Sequence, residues 1–123
     1  MRLALLVGAG SFIGGICRYL LSTFIHSKSG APFPYGTLVV NLTGCLAIGI
    51  LYGIIEKLSI DSRLFLITGI LGGFTTFSAF SGETFLLIKE GRFIASVMYV
   101  LISVAGGVAL TAFGAWIFKL SLR

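Results

Sequence analysis

The residues of this chain that can do chemistry are few and lie in apolar surroundings. The densest group is segment 72–81, Gly-Gly-Phe-Thr-Thr-Phe-Ser-Ala-Phe-Ser, in which paired glycines precede two threonines. Glycine costs about 1 kcal/mol relative to alanine inside a helix, and threonine loses rotamer freedom there. The composition therefore predicts a helix break at 72–76. Such a break frees backbone carbonyls, which protein groups, water or a bound cation must satisfy.

Aromatic and amide side chains near the predicted break are candidates for contact with an anion. Phe77 and Phe80 share one helix face, and the edge of a phenyl ring is positively polarised. The alternative for this pair is ordinary packing. Asn41 shares a face with Thr37 and Gly44. Its amide NH2 either donates to an anion or forms an interhelical hydrogen bond, worth about 0.6 kcal/mol on average in membrane proteins.

Two ionisable residues interrupt apolar segments, where a central arginine costs about 2.5–3.5 kcal/mol. Arg18 either extends to the membrane interface or is a cation that draws anions into a vestibule. Glu83 is interpreted as the counter-ion of an arginine or as an anchor between helices, in preference to proton coupling. Segment 96–111 carries a stripe of hydroxyl-bearing and small residues: Ser96, Tyr99, Ser103, Gly107 and Thr111. Together with the face that carries Asn41, this stripe suggests a path lined by hydrogen-bond donors.

The elements that must position these residues are four apolar runs. The chain has 123 residues, of which 57% are hydrophobic and 11% charged, and its mean hydropathy is +1.08. Soluble domains carry about 25% charged residues, so this class is excluded. Each run reaches the roughly 20 residues that a helix needs to cross a bilayer, and continuous apolar runs argue against a β-barrel. We predict a single all-α transmembrane domain over 1–123 with spans at 3–25, 36–55, 64–88 and 93–118.

The start of the chain, Met1-Arg2 before an apolar stretch, imitates a signal peptide but is interpreted as a retained span. Loops rich in Lys and Arg stay in the cytoplasm, and here the loop cations are nearly balanced. This balance fits a chain that inserts in both orientations; a four-span protein with both termini in the cytoplasm is the alternative. One side carries Arg2, Lys57, Arg63, Lys119 and Arg123, and the other Lys28, Lys89 and Arg92.

Small residues spaced four apart permit close contact between membrane helices, within a subunit or between subunits. A four-helix chain of this size has little interior and commonly needs a partner to enclose a pathway. The two cysteines, Cys17 and Cys45, have no metal or redox spacing and are interpreted as small buried packing residues. The small-residue pairs are Gly10/Gly14, Gly49/Gly53, Gly69/Gly73 and Gly107/Thr111.

Two functional classes fit the residues poorly. The cations are scattered singly and form no basic patch, so we expect no nucleic-acid partner. An enzyme is not expected either, because His26 is the only histidine and is predicted in a loop, the four acids are dispersed, and neither cysteine has a base nearby in sequence.

The chain resembles the Fluc (CrcB-type) fluoride channels of microbial membranes. The similarity covers nearly the whole sequence and is carried most specifically by segment 72–81. Segments 14–19, from Gly14-Gly15 to Arg18 and Tyr19, and 36–41, from Gly36-Thr37 to Asn41, support it.

The resemblance implies passive export of cytoplasmic fluoride, reducing fluoride toxicity, by a multi-pass protein of a prokaryotic cell (inner) membrane. It implies an antiparallel, dual-topology homodimer with fluoride pathways along the subunit interface. It also implies a structural Na+ at the dimer centre, held by the backbone carbonyls of Gly72 and Thr75. The family's pathway residues correspond to Asn41, Phe77, Phe80, Thr37, Ser78, Tyr99 and Thr111, with Arg18 in the vestibule and Glu83 as a structural acid.

Two departures from the family pattern concern the hydroxyl track: Ala79 lies between the phenylalanines, and Gly107 lies one turn before Thr111. The rival from another class is a proton-coupled small multidrug exporter, also a four-span, dual-topology dimer of about this length. Those exporters need an acid in the first span, which here has none, so Glu83 would have to take that role.

Overall fold

The computed structural model describes the backbone of residues 1–121 and the side chains of residues 1–118. Lys119 and Arg123, both counted among the loop cations, lie outside the described side chains. The described chain is helical, and four stretches are long and apolar enough to cross a membrane, which confirms the predicted four-span, all-α architecture. They are Arg2–Ser29, Tyr35–Gly53, Ile60–Lys89 and Phe93–Phe118.

The helices are named α1 (Arg2–Ser29), α2 (Tyr35–Gly53), α3 (60–74), α4 (Phe77–Lys89) and α5 (93–121). Within α3, an α-helical turn Ile60–Arg63 leads into a π-helical stretch Leu64–Leu71 and a final α-helical turn Gly72–Phe74. Within α5, the π-helical stretch Ile102–Gly106 separates Phe93–Leu101 from Gly107–Ser121. Short π-helical stretches inside α-helices often occur at functional sites.

Helix ends explain the differences from the predicted span limits. Helix α1 continues past position 25 and ends at Gly30, whose φ of 55° is the left-handed conformation that glycine adopts readily. Helix α2 ends at Gly53, and a 3-10 turn follows at Ile55–Lys57. The third span begins at Ile60 instead of 64, because the Ser59 hydroxyl caps the helix by accepting the Ser62 N–H at 3.1 Å.

Glycines bring the helices of one chain into close contact. A Cβ on Gly10 would lie 2.9 Å from the Gly69 Cα, and a Cβ on Gly73 would lie 2.5 Å from the Ser11 carbonyl oxygen. These contacts join α1 to α3. Helix α2 meets α5 in the same way where Gly49 faces the backbone of Thr111. The small-residue pairs at these positions therefore serve packing within the subunit, a question that the sequence left open.

Two contacts tie the loops together at opposite ends of the bundle. Arg2 pairs with Asp61, which joins the start of α1 to the first turn of α3. At the other end, the Arg92 guanidinium donates to the Pro32 carbonyl and joins the turn between α4 and α5 to the loop between α1 and α2. The N-terminus and the connection between α2 and α3 therefore lie at one end of the bundle, and the two other connections lie at the opposite end, as expected of a chain with four spans.

The interior of the chain is small, and much of its apolar surface faces outward. The buried hydrophobic residues of the described chain are Leu38, Val40, Leu87 and Tyr99. Large side chains such as Phe77, which is 79% exposed, remain on the surface. An apolar surface of this extent must be covered by lipid or by another chain.

The contact between α1 and α3 gives a test with a matched control. A Cβ on Gly14 would overlap the Ile70 carbonyl oxygen, whereas the neighbouring Gly15 has no atom within 4 Å of the Cβ position. We expect Gly14→Ala to destabilise the protein by about 1–3 kcal/mol, as overpacking does, and Gly15→Ala to stabilise it by up to about 1 kcal/mol, because alanine favours the helix and meets no neighbour. Size-exclusion profiles after heating in detergent measure this difference. Equal melting of the two variants would contradict the packing described.

Candidate functional site

The backbone between α3 and α4 leaves helical geometry at two residues. Thr75 (φ −83°, ψ 155°) and Thr76 (φ −148°, ψ 114°) are both extended. In a continuous helix the Thr76 N–H would donate to the carbonyl of Gly72, four residues earlier. Here it donates instead to the Asn41 Oδ1 at 2.8 Å, so the Gly72 carbonyl loses its helical partner.

Asn41 holds this segment by a reciprocal pair of bonds. Its Nδ2 donates to the Thr76 carbonyl at 3.0 Å while its Oδ1 accepts the Thr76 N–H. Of the two roles considered for Asn41, the structure shows the interhelical bond. An amide nitrogen carries two hydrogens. The second forms no hydrogen bond within the described part of the chain, so it remains available to a ligand.

Threonine hydroxyls complete the two helix ends at the break. The Thr76 Oγ1 accepts the Ala79 N–H at 3.2 Å and thereby caps the start of α4, and it lies 3.2 Å from the Ser78 Oγ. The Thr75 Oγ1 donates to the Leu71 carbonyl at 2.9 Å. Sequence reasoning placed Thr76 in the predicted break but missed its capping role, although threonine before a helix start is a familiar signal.

A cavity of about 400 Å³ opens beside the break. Phe77 and Phe80 both line it, with ring centroids 5.7 Å apart and ring planes inclined by 50°. Both π-helical stretches contribute to its wall. The lining residues are Asn41, Gly44, Cys45, Ile48, Ile67, Leu71, Gly72, Thr75, Thr76, Phe77, Phe80, Ser103 and Val104. None of them is charged, and their polar groups are amide, hydroxyl, thiol and backbone groups.

A second cluster lies next to this cavity, around Glu83. The Thr37 hydroxyl donates to the Glu83 Oε1 at 2.6 Å, and the Tyr99 hydroxyl donates to the Oε2 at 2.7 Å. Glu83 therefore joins α2, α4 and α5, as expected of an anchor between helices. No ion pair of Glu83 with an arginine occurs in the described chain, so the counter-ion interpretation finds no partner there. The Tyr99 ring packs on Phe80 with centroids 5.1 Å apart, which links the two groups.

The remaining predicted residues lie outside these two clusters. The Thr111 hydroxyl donates to the carbonyls of Cys45 and Gly107, each at 3.0 Å. Ser78 is exposed beside the break, and Arg18 lies half-buried on α1 without a hydrogen bond to any described residue. The structure thus brings Asn41, Phe77, Phe80, Gly72 and Thr75 to one cavity and places Thr37 and Tyr99 at Glu83. Ser78 and Thr111 do not line this cavity but contact its lining residues Thr76 and Cys45, and Arg18 has no hydrogen bond to either group.

Ser103 is a lining residue absent from the predicted site. Its Oγ is buried and has no hydrogen-bond partner among the described residues, which distinguishes it from Thr111 and Thr84, whose hydroxyls donate to carbonyls four residues earlier. The helical stripe 96–111 already contained Ser103 as a sequence signal. A buried hydroxyl without a partner in the chain is a group that a ligand or a water molecule can satisfy.

Comparison with known proteins gives the family. Residues 5–115 match the family described as "CrcB-like protein, Camphor Resistance (CrcB)". The chain belongs to this family. Similar proteins include one of Leptospira interrogans, 40% identical over 118 residues, covering 94% of this chain and 93% of the relative. Another, from Solibacter usitatus, is 46% identical over 114 residues, which cover 90% of this chain and 93% of the relative. A third, from Rhizobium meliloti, is 45% identical over 107 residues, which cover 85% of this chain and 86% of the relative.

Each of these three relatives is named fluoride-specific ion channel FluC. The family resemblance inferred from segment 72–81 is therefore confirmed. The relatives are channels and not enzymes, which agrees with the expectation drawn from the residues. CrcB membership and the four spans together make the chain a multi-pass membrane protein.

The bonds of Asn41 give the second test. Asn41→Leu leaves the N–H and C=O of Thr76 without partners at membrane depth, and each such group costs about 1–3 kcal/mol. We expect amide exchange of segment 72–81 to accelerate at least tenfold in the variant, measured by hydrogen-exchange mass spectrometry in nanodiscs. Thr43→Val is the control, because the Thr43 hydroxyl bonds only Val39 of its own helix. If both variants exchange like the wild type, Asn41 does not hold the break.

Proposed function

We propose that this chain is a fluoride-selective ion channel that mediates passive export of cytoplasmic fluoride and so reduces fluoride toxicity. The observation that supports this most is the uncharged cavity at the break, where Asn41 and the phenylalanine pair meet. The relatives named fluoride-specific ion channels, 40–46% identical, support the same function.

The chemistry of the cavity suits a small, strongly hydrated anion. Fluoride gives up its water only where fixed donors and polarised edges replace it. The free N–H of Asn41, the Ser103 hydroxyl and the ring edges of Phe77 and Phe80 are groups of this kind. No carboxylate lines this cavity, so the anion meets no negative charge there.

The rival function, proton-coupled multidrug export, receives less support. It needs a membrane acid that takes up protons in exchange with substrate, and Glu83 was the candidate. Both Glu83 oxygens accept hydroxyl bonds, and the residue is absent from the lining of the 400 Å³ cavity. Glu83 thus resembles an anchor more than an exchange site.

The oligomeric part of the proposal is an antiparallel homodimer of dual topology. Phe77, a proposed pathway residue, is 79% exposed in the single chain, so this chain alone does not enclose the pathway. A second copy is the partner that would cover it. The near balance of loop cations supports insertion in both orientations, and the family points to a prokaryotic inner membrane as the location.

A structural Na+ at the dimer centre completes the proposal. Na+ prefers oxygen ligands, and unwound membrane helices supply carbonyl oxygens for it. The Gly72 carbonyl has lost its helical partner, and Gly72 and Thr75 both line the cavity, so the residues fit such an ion. The backbone carbonyls of Gly72 and Thr75 from two copies would hold it. When bound, the ion would supply the positive charge that these carbonyl oxygens need as a partner.

Fluoride efflux from liposomes tests the function. Purified protein should release fluoride rapidly and chloride negligibly once an ionophore removes the voltage. Phe80→Ile should slow fluoride efflux at least tenfold, because the ring edge is lost, whereas Phe85→Ile on the outer face of the same helix should change it less than twofold. Folded protein that releases no fluoride would contradict the proposal. Dye transport that depends on Glu83 would then favour the exporter.

Labelling from one side of the membrane tests the dual topology. Lys28 and Lys57 lie at opposite ends of the bundle. The variants Lys28→Cys and Lys57→Cys are made in a background that carries Cys17→Ala and Cys45→Ala. In intact cells, we expect an impermeant maleimide to label about half of the molecules of each variant. After permeabilisation, it should label all of them. Complete labelling of one variant and none of the other would show a single orientation.

A further inference from the structure

We propose that the Cys45 thiol is an anion-contacting group of the pathway, at the place where the cavity at the break meets a second cavity between α2 and α5. The inference rests on the proposed function and on the proposed dimer, whose second copy would cover the open side of both cavities. It gives a role to a residue that neither the sequence motifs nor the family comparison assigned to the pathway.

Two cavities meet at Cys45. The first is the 400 Å³ cavity at the break, and the second, of about 500 Å³, extends along α5 from Ser103 to Ala115. Cys45, Ser103 and Val104 line both cavities. Cys45 is the residue that α2 contributes to the second cavity. An ion that moves from one cavity to the other therefore passes these three residues.

The Cys45 sulfur occupies space that α5 leaves free. Gly107 has no side chain, and a Cβ on it would lie 3.1 Å from the Cys45 Sγ. Apart from the chain neighbours of Gly107 and the backbone of its own helix, no other described atom lies within 4 Å of that position. The thiol of α2 therefore stands where a side chain at position 107 of α5 would otherwise lie.

The second cavity offers few other hydrogen-bond donors to an anion. Three of its lining side chains carry a hydrogen on sulfur or oxygen: Cys45, Ser103 and Thr111. The Thr111 hydroxyl has a single hydrogen, which it directs to the carbonyls of Cys45 and Gly107, each 3.0 Å away. The other lining residues that the structure describes are glycine, alanine and valine. The thiol and the Ser103 hydroxyl are thus the donors left for an anion.

Both of these groups lack a partner within residues 1–118. The Ser103 Oγ is buried without a hydrogen bond, which is the situation of a group that a ligand or a water molecule satisfies. Cys45 is a free cysteine, and its Sγ forms no hydrogen bond with a described group. Ser103 therefore indicates a ligand at the junction of the two cavities, and the thiol lines the same junction.

Substitutions at the two facing positions test whether the thiol acts as a donor or only fills space. A thiol is a weak donor, so we expect Cys45→Ala to slow fluoride efflux from liposomes about threefold. Adding Gly107→Ser to Cys45→Ala places a hydroxyl in the space that the sulfur vacates and should restore the wild-type rate. Adding Gly107→Ala instead fills the same space without a donor and should leave efflux slow.

Reversible modification of the thiol gives an independent test. Cys17, although expected to be buried, is exposed on α1 and is the matched control. Methyl methanethiosulfonate converts a free thiol to a methyl disulfide; methanesulfinate leaves and the thiol proton passes to the buffer. Because the added group narrows the junction and removes the donor, we expect efflux to fall about tenfold in the wild type and in Cys17→Ala. Cys45→Ala should not respond, and dithiothreitol should restore efflux by reducing the disulfide.

The outcomes separate the inference from the proposed function. Equal efflux from Cys45→Ala and the wild type, equal rescue by the serine and alanine substitutions at Gly107, or a block that persists in Cys45→Ala would each overturn the role of Cys45 while leaving the fluoride channel in place. If Cys45→Ala does not fold, Cys17→Ala decides: complete modification that leaves its efflux unchanged overturns the inference. Folded wild-type protein that releases no fluoride before any reagent is added would overturn the proposed function and this inference with it.

Discussion

Hydrocarbon provides no partner for a backbone polar group, and the fold depends on how this chain satisfies its groups at the break between α3 and α4. The extended residues Thr75 and Thr76 interrupt the helical ladder, and Asn41 replaces part of it through two hydrogen bonds to Thr76. The hydroxyl of Thr76 caps the next helix. The Gly72 carbonyl is left for another partner. An uncharged cavity lies beside this arrangement.

The packing around the break explains why it can be maintained. Helix α1 approaches α3 closely because Gly10 and Gly14 face the backbone of α3, and this contact fixes the segment on one side of the break. On the other side, Glu83 joins α2, α4 and α5 through the hydroxyls of Thr37 and Tyr99. The phenylalanine pair and Asn41 lie between these two packed regions, although the buried hydrophobic core of the described chain is small. In the proposed channel, donors positioned by this packing would replace the water of fluoride.

The sequence predicted the features that depend on composition and spacing. Runs of apolar residues predicted four helical spans. The glycine–threonine segment predicted a break at 72–76, whereas Gly72–Phe74 is helical and only Thr75 and Thr76 are extended. The partners of individual side chains were less predictable. Asn41 was seen as a donor to an anion or to another helix, and only the structure shows that Thr76 is its partner. Likewise, no pattern within one helix indicates that Glu83 lies between Thr37, 46 residues away, and Tyr99. The unpartnered hydroxyl of Ser103 depends on the tertiary packing around a π-helical stretch, which local propensities do not encode.

Solid-state NMR of the protein in lipid bilayers tests the central claim most directly. The measurement is the dipolar coupling between the Asn41 side-chain nitrogen and the Thr76 carbonyl carbon, together with the backbone chemical shifts of Thr75 and Thr76. We predict a small but measurable coupling, because the carbonyl carbon lies just beyond the oxygen of the 3.0 Å hydrogen bond, and extended shifts at both threonines. Helical shifts through 72–80 without a coupling to Asn41 would contradict it, because the third span would then be continuous and the cavity at the break would not form.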